Sequence, residues 1–293
     1  MITLPSAVET ITFRGRTIFV KRDDLIHPYL SGNKFRKLYT LYHTPASRYY
    51  KVISYGGSQS NAMLSLAYLC HIKGWIFEYY TKTLNLHVKQ SVMGNFAKAV
   101  ALGMKVIELT HHEYEENIDE LFFHTDERVA LVPQGGAAAM AQEGVRHLAQ
   151  EIMQWQREEA IEHLHVITPS GTGTTALYLS QALSCACYTT PVAGSREYLL
   201  EQMRALGVLP SNLHVITTEK TYHFAKPYRE FWALYEELQD SGIEFDLLYA
   251  PKMWLALSAV MDQMEGEILY VHSGGVYGNG TMRQRYHYKG WIE

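Results

Sequence analysis

The sequence predicts an α/β protein of mostly parallel, twisted sheets with helices on both faces. Three observations point there. Short apolar strand candidates alternate with helix candidates along nearly the whole chain. Glycines stand where two helices should stop, at Gly74 and Gly103. Gly-rich stretches at Gly56, Gly135, Gly171 and Gly274 follow strand candidates, where such sheets gather their functional loops. Several loops on one rim imply one crevice.

Thr17 to Asp24 reads as extended. Gly32 and Asn33 tolerate the tight backbone that stops a strand and begins a helix. From Phe35 the apolar positions Phe35, Leu38, Leu41 and Tyr42 share one helical face. Tyr50 to Tyr55 is a strand running into Gly56-Gly57-Ser58-Gln59-Ser60-Asn61, and a helix spans Ala62 to about Lys73. Trp75 to Thr81 is a strand, Val88 to Leu102 a helix, Met104 to Leu109 a strand, Glu113 to Phe123 a helix and Val129 to Val132 a strand. After Pro133-Gln134-Gly135-Gly136 a long helix reaches about Arg157. The second half repeats the rhythm: strand His165 to Ile167, a Gly/Thr loop, and a helix to about Leu183. Strands Tyr188 to Ala193 and Leu213 to Thr217 enclose a helix from Arg196 to Leu206. A helix from Tyr228 to Asp240 precedes strands Leu247 to Tyr249 and Ile268 to Val271, which enclose a helix near Trp254 to Met264. No low-complexity linker or repeat interrupts the chain.

Composition narrows the function. The 293 residues suffice for one large domain or two modest ones, and 47% hydrophobic with 19% charged residues fits an enzyme-like globular chain. A net charge of -4 argues against a nucleic-acid binder driven by phosphate contacts. No apolar run approaches bilayer length, and Met1 to Ser6 lacks the basic start and apolar core of a signal peptide. Cys70, Cys185 and Cys187 form no metal-like set, and their odd number suits a reducing compartment. The expectation is a cytoplasmic protein with neither nucleic acid nor membrane as partner.

Candidate chemistry starts at Lys34, placed in the first turn of a helix on a sheet rim. A helix N-terminus disfavours a nearby cation, which would lower the amine's pKa and make it a nucleophile. A solvated surface lysine is the plainer alternative. Ser170-Gly171-Thr172-Gly173-Thr174-Thr175 joins a strand to a helix start, so backbone N–H groups and hydroxyls converge as in a phosphate cradle. It has neither a Walker lysine nor a dinucleotide fingerprint, and an ordinary capping turn would read the same way. Ser60 or Asn61 alone reads as a helix N-cap. Tyr249, ending a strand candidate, alone reads as core.

Lys21-Arg22-Asp23-Asp24 followed by Ser31-Gly32-Asn33-Lys34-Phe35-Arg36-Lys37-Leu38 resembles the "KRDD…SGNKxRKL" signature of the 1-aminocyclopropane-1-carboxylate (ACC) deaminases and D-cysteine desulfhydrases, which use pyridoxal 5'-phosphate. The likeness continues through Gly57 to Asn61 ("GGxQSN"), Ser170 to Thr175 ("SGxxGTxAG", glycines and hydroxyls partly exchanged), Asp246 to Lys252 ("DPVYxGKA") and His272 to Gly275 ("H[T/L]GG").

The resemblance implies the two-domain fold type II. Residues 1–43 and 138–293 would form the larger, cofactor-binding domain and residues 44–137 the smaller. It implies that Lys34 carries the cofactor and acts as general base. Gly171, Thr172, Gly173, Thr174 and Thr175 would hold its phosphate, Asn61 its phenolate oxygen, and Ser273 its ring nitrogen. Ser60, with Ser58 and Gln59, would meet the substrate carboxylate, and Tyr249 would move protons. Tyr222 and Tyr228 are candidates for a further substrate-facing tyrosine. Ala250 and Ser273 both differ from the ACC deaminase pattern, and Ser273 agrees with the desulfhydrase branch. A neutral partner at the ring nitrogen gives a milder electron sink, which suits α,β-elimination on a small amino acid. The loop Gly135-Gly136-Ala137-Ala138 lacks two polar side chains of its relatives' "GGSN", so a binding protein with little turnover is the alternative of another class. The resemblance also implies a homodimer.

Overall fold

The computed structural model describes residues 2–30, 32–118, 120 and 126–293. Val8–Phe13 (β1) and Arg16–Lys21 (β2) form an antiparallel hairpin that the sequence patterns do not predict. Its turn, Arg14-Gly15, has φ of 50° and 78°, the doubly left-handed geometry whose twist matches paired strands. Gly32–Lys37 (α1) and Tyr39–His43 (α2) follow, so the first helix starts earlier than expected and breaks at Leu38.

A parallel four-stranded sheet comes next. Its strands are Lys51–Tyr55 (β3), Ile76–Lys82 (β4), Lys105–Leu109 (β5) and Val129–Val132 (β6), in the order β5-β4-β3-β6. Central β3 buries Val52, Ile53 and Ser54 in succession, as a strand covered on both faces must. The intervening helices are Asn61–Lys73 (α3), Leu86–Gln90 (α4), Gly94–Ala101 (α5) and His111–Asn117 (α6). The single helix expected over Val88 to Leu102 is therefore two. Ser91 is extended, and Gly94 takes φ 84° at a point where a side chain would strike Thr281. The helix expected over Glu113 to Phe123 begins at His111, where Thr110 and Glu113 form a capping box. Asp119 and residues 121–123 of that expectation lie outside the described residues.

The second sheet has six strands in the order β1-β2-β10-β7-β8-β9. Its later members are Leu164–Ser170 (β7), Ala186–Pro191 (β8), Leu213–Val215 (β9) and Glu267–Val271 (β10), and β1 alone runs antiparallel. Five helices cover it, Ala141–Glu158 (α7), Thr174–Ala182 (α8), Arg196–Leu206 (α9), Arg229–Gln239 (α10) and Ala250–Ser258 (α11), while Asn279–Tyr288 (α12) packs Met282 and Tyr286 against Tyr235, Leu247 and Leu248. The pleat splits β10 between two cores. Ile268 and Tyr270 pack with Ile18, Val20, Phe245 and Trp254, whereas Leu269 and Val271 pack with Val145, Leu148, Val166 and Leu177. Helices on both faces are what a parallel sheet requires.

Leu247 to Tyr249 is a turn rather than the expected strand. The Asp246 carboxylate accepts N–H bonds from Leu248, Tyr249 and Ala250 at 3.0, 2.6 and 3.3 Å, which diverts the backbone from any ladder and starts α11. The four Gly-rich loops leave the carboxyl ends of β3, β6, β7 and β10. Among the described residues no helix is long and apolar enough to cross a membrane.

Candidate active site

The site is built around α1, clamped on two sides by glycine contacts. A Cβ at Gly32, where φ is 57°, would lie 1.9 Å from the Ser273 carbonyl oxygen, and the Asn33 N–H donates to that oxygen at 3.2 Å. On α7, a Cβ at Gly144 would lie 2.0 Å from the Arg36 carbonyl oxygen. Only hydrogen fits at either place. Arg36 fixes the helix further. It is fully buried, donates to both oxygens of Asp23 (3.0 and 2.8 Å) and to both oxygens of Glu151 (2.7 and 2.8 Å). Lys21 on β2 meets the same Glu151 at 2.7 Å. Burial opposes the Arg36 charge, but the two carboxylates outweigh it and raise its pKa.

Beside this helix lies a cavity of about 630 Å³. Lys34 and Lys37 both reach it, and both are buried. Burial lowers the Lys34 amine from the ordinary 10.5 to about 8, with Asp246 pulling the other way. Desolvation is the largest physical cause. Lys37 is lowered as well, first by burial and then by Lys34. Its Nζ donates to the Gly135 carbonyl at 3.1 Å and to Thr172 Oγ1 at 3.3 Å. Ser31 lies outside the described residues.

The Gly/Thr loop faces these amines across the cavity. Gly173 caps α8 at φ 76°, and Thr172 and Thr174 share a hydroxyl bond of 2.9 Å. Thr175 Oγ1 is buried and has no protein partner among the described residues. Gly171 lies against the Tyr249 ring, where a Cβ would come within 3.4 Å of it. Tyr249 lines the cavity as well, and burial followed by the Asp246 charge raises its pKa, so its hydroxyl stays protonated.

The loop from β3 to α3 closes another side, with Gln59, Ser60 and Asn61 on the cavity wall. Ser60 is the N-cap of α3, its Oγ accepting the Met63 N–H at 3.2 Å. Its hydroxyl also bonds the Tyr79 hydroxyl, which opposes the rise that burial causes in the Tyr79 pKa. Ala137 forms the wall near the loop after β6. The structure thus brings together Lys34, Gln59, Ser60, Asn61, Tyr249 and all of Gly171 to Thr175. It does not bring Ser58, Ser273 or Tyr228 to the cavity wall. Ser273 is buried under α1, and its turn is held by His272, whose Nδ1 accepts the Gly274 N–H at 3.1 Å while its Nε2 bonds the Glu244 carbonyl at 2.9 Å. Tyr228 accepts the His223 N–H at 3.0 Å, and its ring stands edge-on to Tyr222, which lines a separate small pocket.

Sequence reasoning missed Lys37 and Asn95. Lys37 was findable, since three residues after Lys34 it shares the same helix face. Asn95 gave no signal, because its partners Gln59 and Asn61 belong to a distant loop.

Two packed α/β layers with one crevice at the strand carboxyl ends, and a buried lysine opposite a Gly/Thr loop, define a chain of the fold type II class. By sequence it is similar to proteins named as ACC deaminases and D-cysteine desulfhydrases. A Thermotoga maritima protein with the provisional name 1-aminocyclopropane-1-carboxylate deaminase is 27% identical over 289 residues, covering 90% of each chain. An Arabidopsis thaliana protein, named a mitochondrial bifunctional D-cysteine desulfhydrase/ACC deaminase, is 23% identical and covers 90% of this chain and 73% of its own. The crystal structure of an ACC deaminase homologue matches with a TM-score of 0.77 at 20% identity, covering 97% of this chain and 94% of that one. No protein-family model matches the chain.

Proposed function

We propose that the protein is a pyridoxal 5'-phosphate-dependent lyase that deaminates a small amino acid by α,β-elimination, in the manner of a D-cysteine desulfhydrase. One observation carries the reading: a buried amine with a pKa of about 8 shares a cavity with a Gly/Thr loop that holds an unsatisfied buried hydroxyl. The residues present fit the cofactor. Thr175, Thr172 and the N–H groups opening α8 would hold its phosphate, with Lys37 as counter-charge. Lys34 would hold its aldehyde carbon and Asn61 its ring oxygen. Ser273 is proposed for the ring nitrogen on the resemblance alone.

When bound, pyridoxal phosphate supplies an electron-withdrawing ring that stabilises negative charge at the substrate α-carbon. The chain does the rest. Lys34 Nζ, neutral above pH 8, takes the α-proton. Ser60 donates its hydroxyl hydrogen to the substrate carboxylate, aided by the N–H groups that open α3. Tyr249, protonated, gives a proton to the leaving group. Loss of a β-substituent such as sulfide, followed by hydrolysis with one water, then leads to pyruvate and ammonia. Ser58 and Tyr228 are assigned no contact with substrate.

Residues 44–137 are proposed as the smaller domain and 1–43 with 138–293 as the larger. All four strands of the smaller sheet falling between 51 and 132 support the division. A homodimer and a cytoplasmic setting complete the proposal, and light scattering tests the former.

Release of a 2-oxo acid, pyruvate from D-cysteine and L-cysteine and 2-oxobutanoate from ACC, assayed side by side, tests the reaction. D-cysteine should give the highest rate, and ACC exceeding it would move the assignment to ACC deamination. Ala137 on the cavity wall favours one other reading, a binding protein. A yellow protein yielding a 2-oxo acid from none of the three would establish it.

A further inference from the structure

Asn95, the second residue of α5, is fully buried in the wall behind Asn61. Its Nδ2 lies 3.0 Å from the Gln59 carbonyl oxygen and 2.7 Å from Asn61 Oδ1. A carbonyl oxygen can only accept, so the Asn95 atom facing Gln59 must be the amide nitrogen. Its second hydrogen then falls to Asn61, whose facing atom must be the oxygen. Asn95 Oδ1 is left buried without a partner, but turning the amide would press oxygen against the Gln59 carbonyl. One backbone carbonyl thereby sets the direction of two side-chain amides in series.

The surroundings hold that direction. A Cβ at Gly275, where φ is 90°, would lie 2.4 Å from Asn61 Nδ2, so the absent side chain leaves room for the nitrogen end. The Thr281 hydroxyl bonds Gln59 Oε1 at 2.7 Å, and Gly94 packs on Thr281 so closely that a Cβ would come within 2.4 Å of its methyl group. The start of α5 and the start of α12 therefore brace the loop that carries Gln59, Ser60 and Asn61.

We propose that Asn95 is a positioning residue: it locks the Asn61 amide so that N–H donors, not its oxygen, meet the anionic ring oxygen of pyridoxal phosphate. Donors stabilise that anion, and an oxygen in their place would repel it. This role rests on the function proposed above.

The test is Asn95→Asp, nearly isosteric but without donors. The Asn61 amide should turn its nitrogen toward the new carboxylate and its oxygen outward. Titrating pyridoxal 5'-phosphate into the protein should show affinity roughly tenfold weaker or worse. The bound chromophore should move from its visible band, from the ionised ring, to the near-ultraviolet band of the neutral ring. Asn61→Ala should do the same, and adding Asn95→Asp to it should change neither readout further. A native spectrum and affinity in Asn95→Asp overturn the proposal, as do additive losses in the double variant. If Asn95→Asp does not fold, Asn95→Ala replaces it, with the same spectral change expected and a native spectrum again overturning the assignment. If the unaltered protein takes up no pyridoxal phosphate, the proposed function falls and this role with it. Uptake alike by the native protein and the variant removes the role alone.

Discussion

The two sides of α1 carry three buried basic side chains that meet opposite fates. On one side Arg36 is held by Asp23 and Glu151. On the other, Lys34 and Lys37 face the cavity, and neither has an ion-pair partner among the described residues. Helical geometry causes the split. At about 100° per residue, positions 34 and 37 fall on one face and 36 roughly opposite. The chemistry of the groups decides their protonation. A guanidinium cannot shed its proton, so its burial requires carboxylates, whereas an amine relieves the cost of burial by becoming neutral. The paired side fastens the helix to β2 and α7. The unpaired side leaves two amines whose requirements an aldehyde and a phosphate would meet.

This contrast can be broken by substitution, beginning with the largest effect. Lys34→Ala should lose the yellow colour and reduce pyruvate formation to background while the melting temperature holds or rises. A variant that still fixes the cofactor covalently on borohydride treatment would end the assignment of Lys34. Arg36→Met should do the reverse, costing about 3–5 kcal/mol in urea unfolding because it strands buried carboxylates. A cost below about 1 kcal/mol would show that the network contributes little. Lys37→Met should weaken pyridoxal phosphate binding roughly tenfold to a hundredfold and stabilise the cofactor-free protein by about 0.5–2 kcal/mol. Loss of stability with unchanged affinity would mean that Lys37 serves packing.

A further effect, spread over several pH units, is in the pH dependence. The folded value of Lys34, about 8, lies below its ordinary 10.5, so between them the folded chain binds fewer protons than the unfolded one. Stability then rises with pH across that window, by at most about 1.4 kcal/mol per pH unit. Unfolding curves of the native and Lys34→Met proteins at pH 8, 9 and 10 isolate this contribution. A difference between the two proteins that does not change with pH would place the Lys34 amine in water.

Most of the larger elements were legible in the sequence because their signals are local. α9, from Arg196 to Leu206, and β6, from Val129 to Val132, stand as read, and α3 ends at Gly74 in the left-handed conformation its glycine foretold. Failures came where a particular contact, distant or neighbouring, outweighed the apolar pattern. α4 and α5 separate where Gly94 meets Thr281, and Leu247 to Tyr249 folds around Asp246 instead of extending. Lys34, Asn61, Tyr249 and the loop from Gly171 to Thr175 were marked by motif and do share one cavity. Tyr228, chosen on its neighbourhood in sequence, turned to His223 instead.

The sequence by itself determined the alternation of strands and helices, the glycine loops at strand ends, and the residue types able to bind an aldehyde and a phosphate. Periodicity, caps and turns are properties of a few neighbouring residues, so they survive without the fold. Tertiary structure alone decided that Lys34 is desolvated, that Lys37 reaches Thr172, and that Asn95 sets the direction of Asn61. Each depends on groups tens or hundreds of residues apart in sequence, brought together by two sheets burying their faces, and burial and hydrogen-bond direction exist only once that has happened.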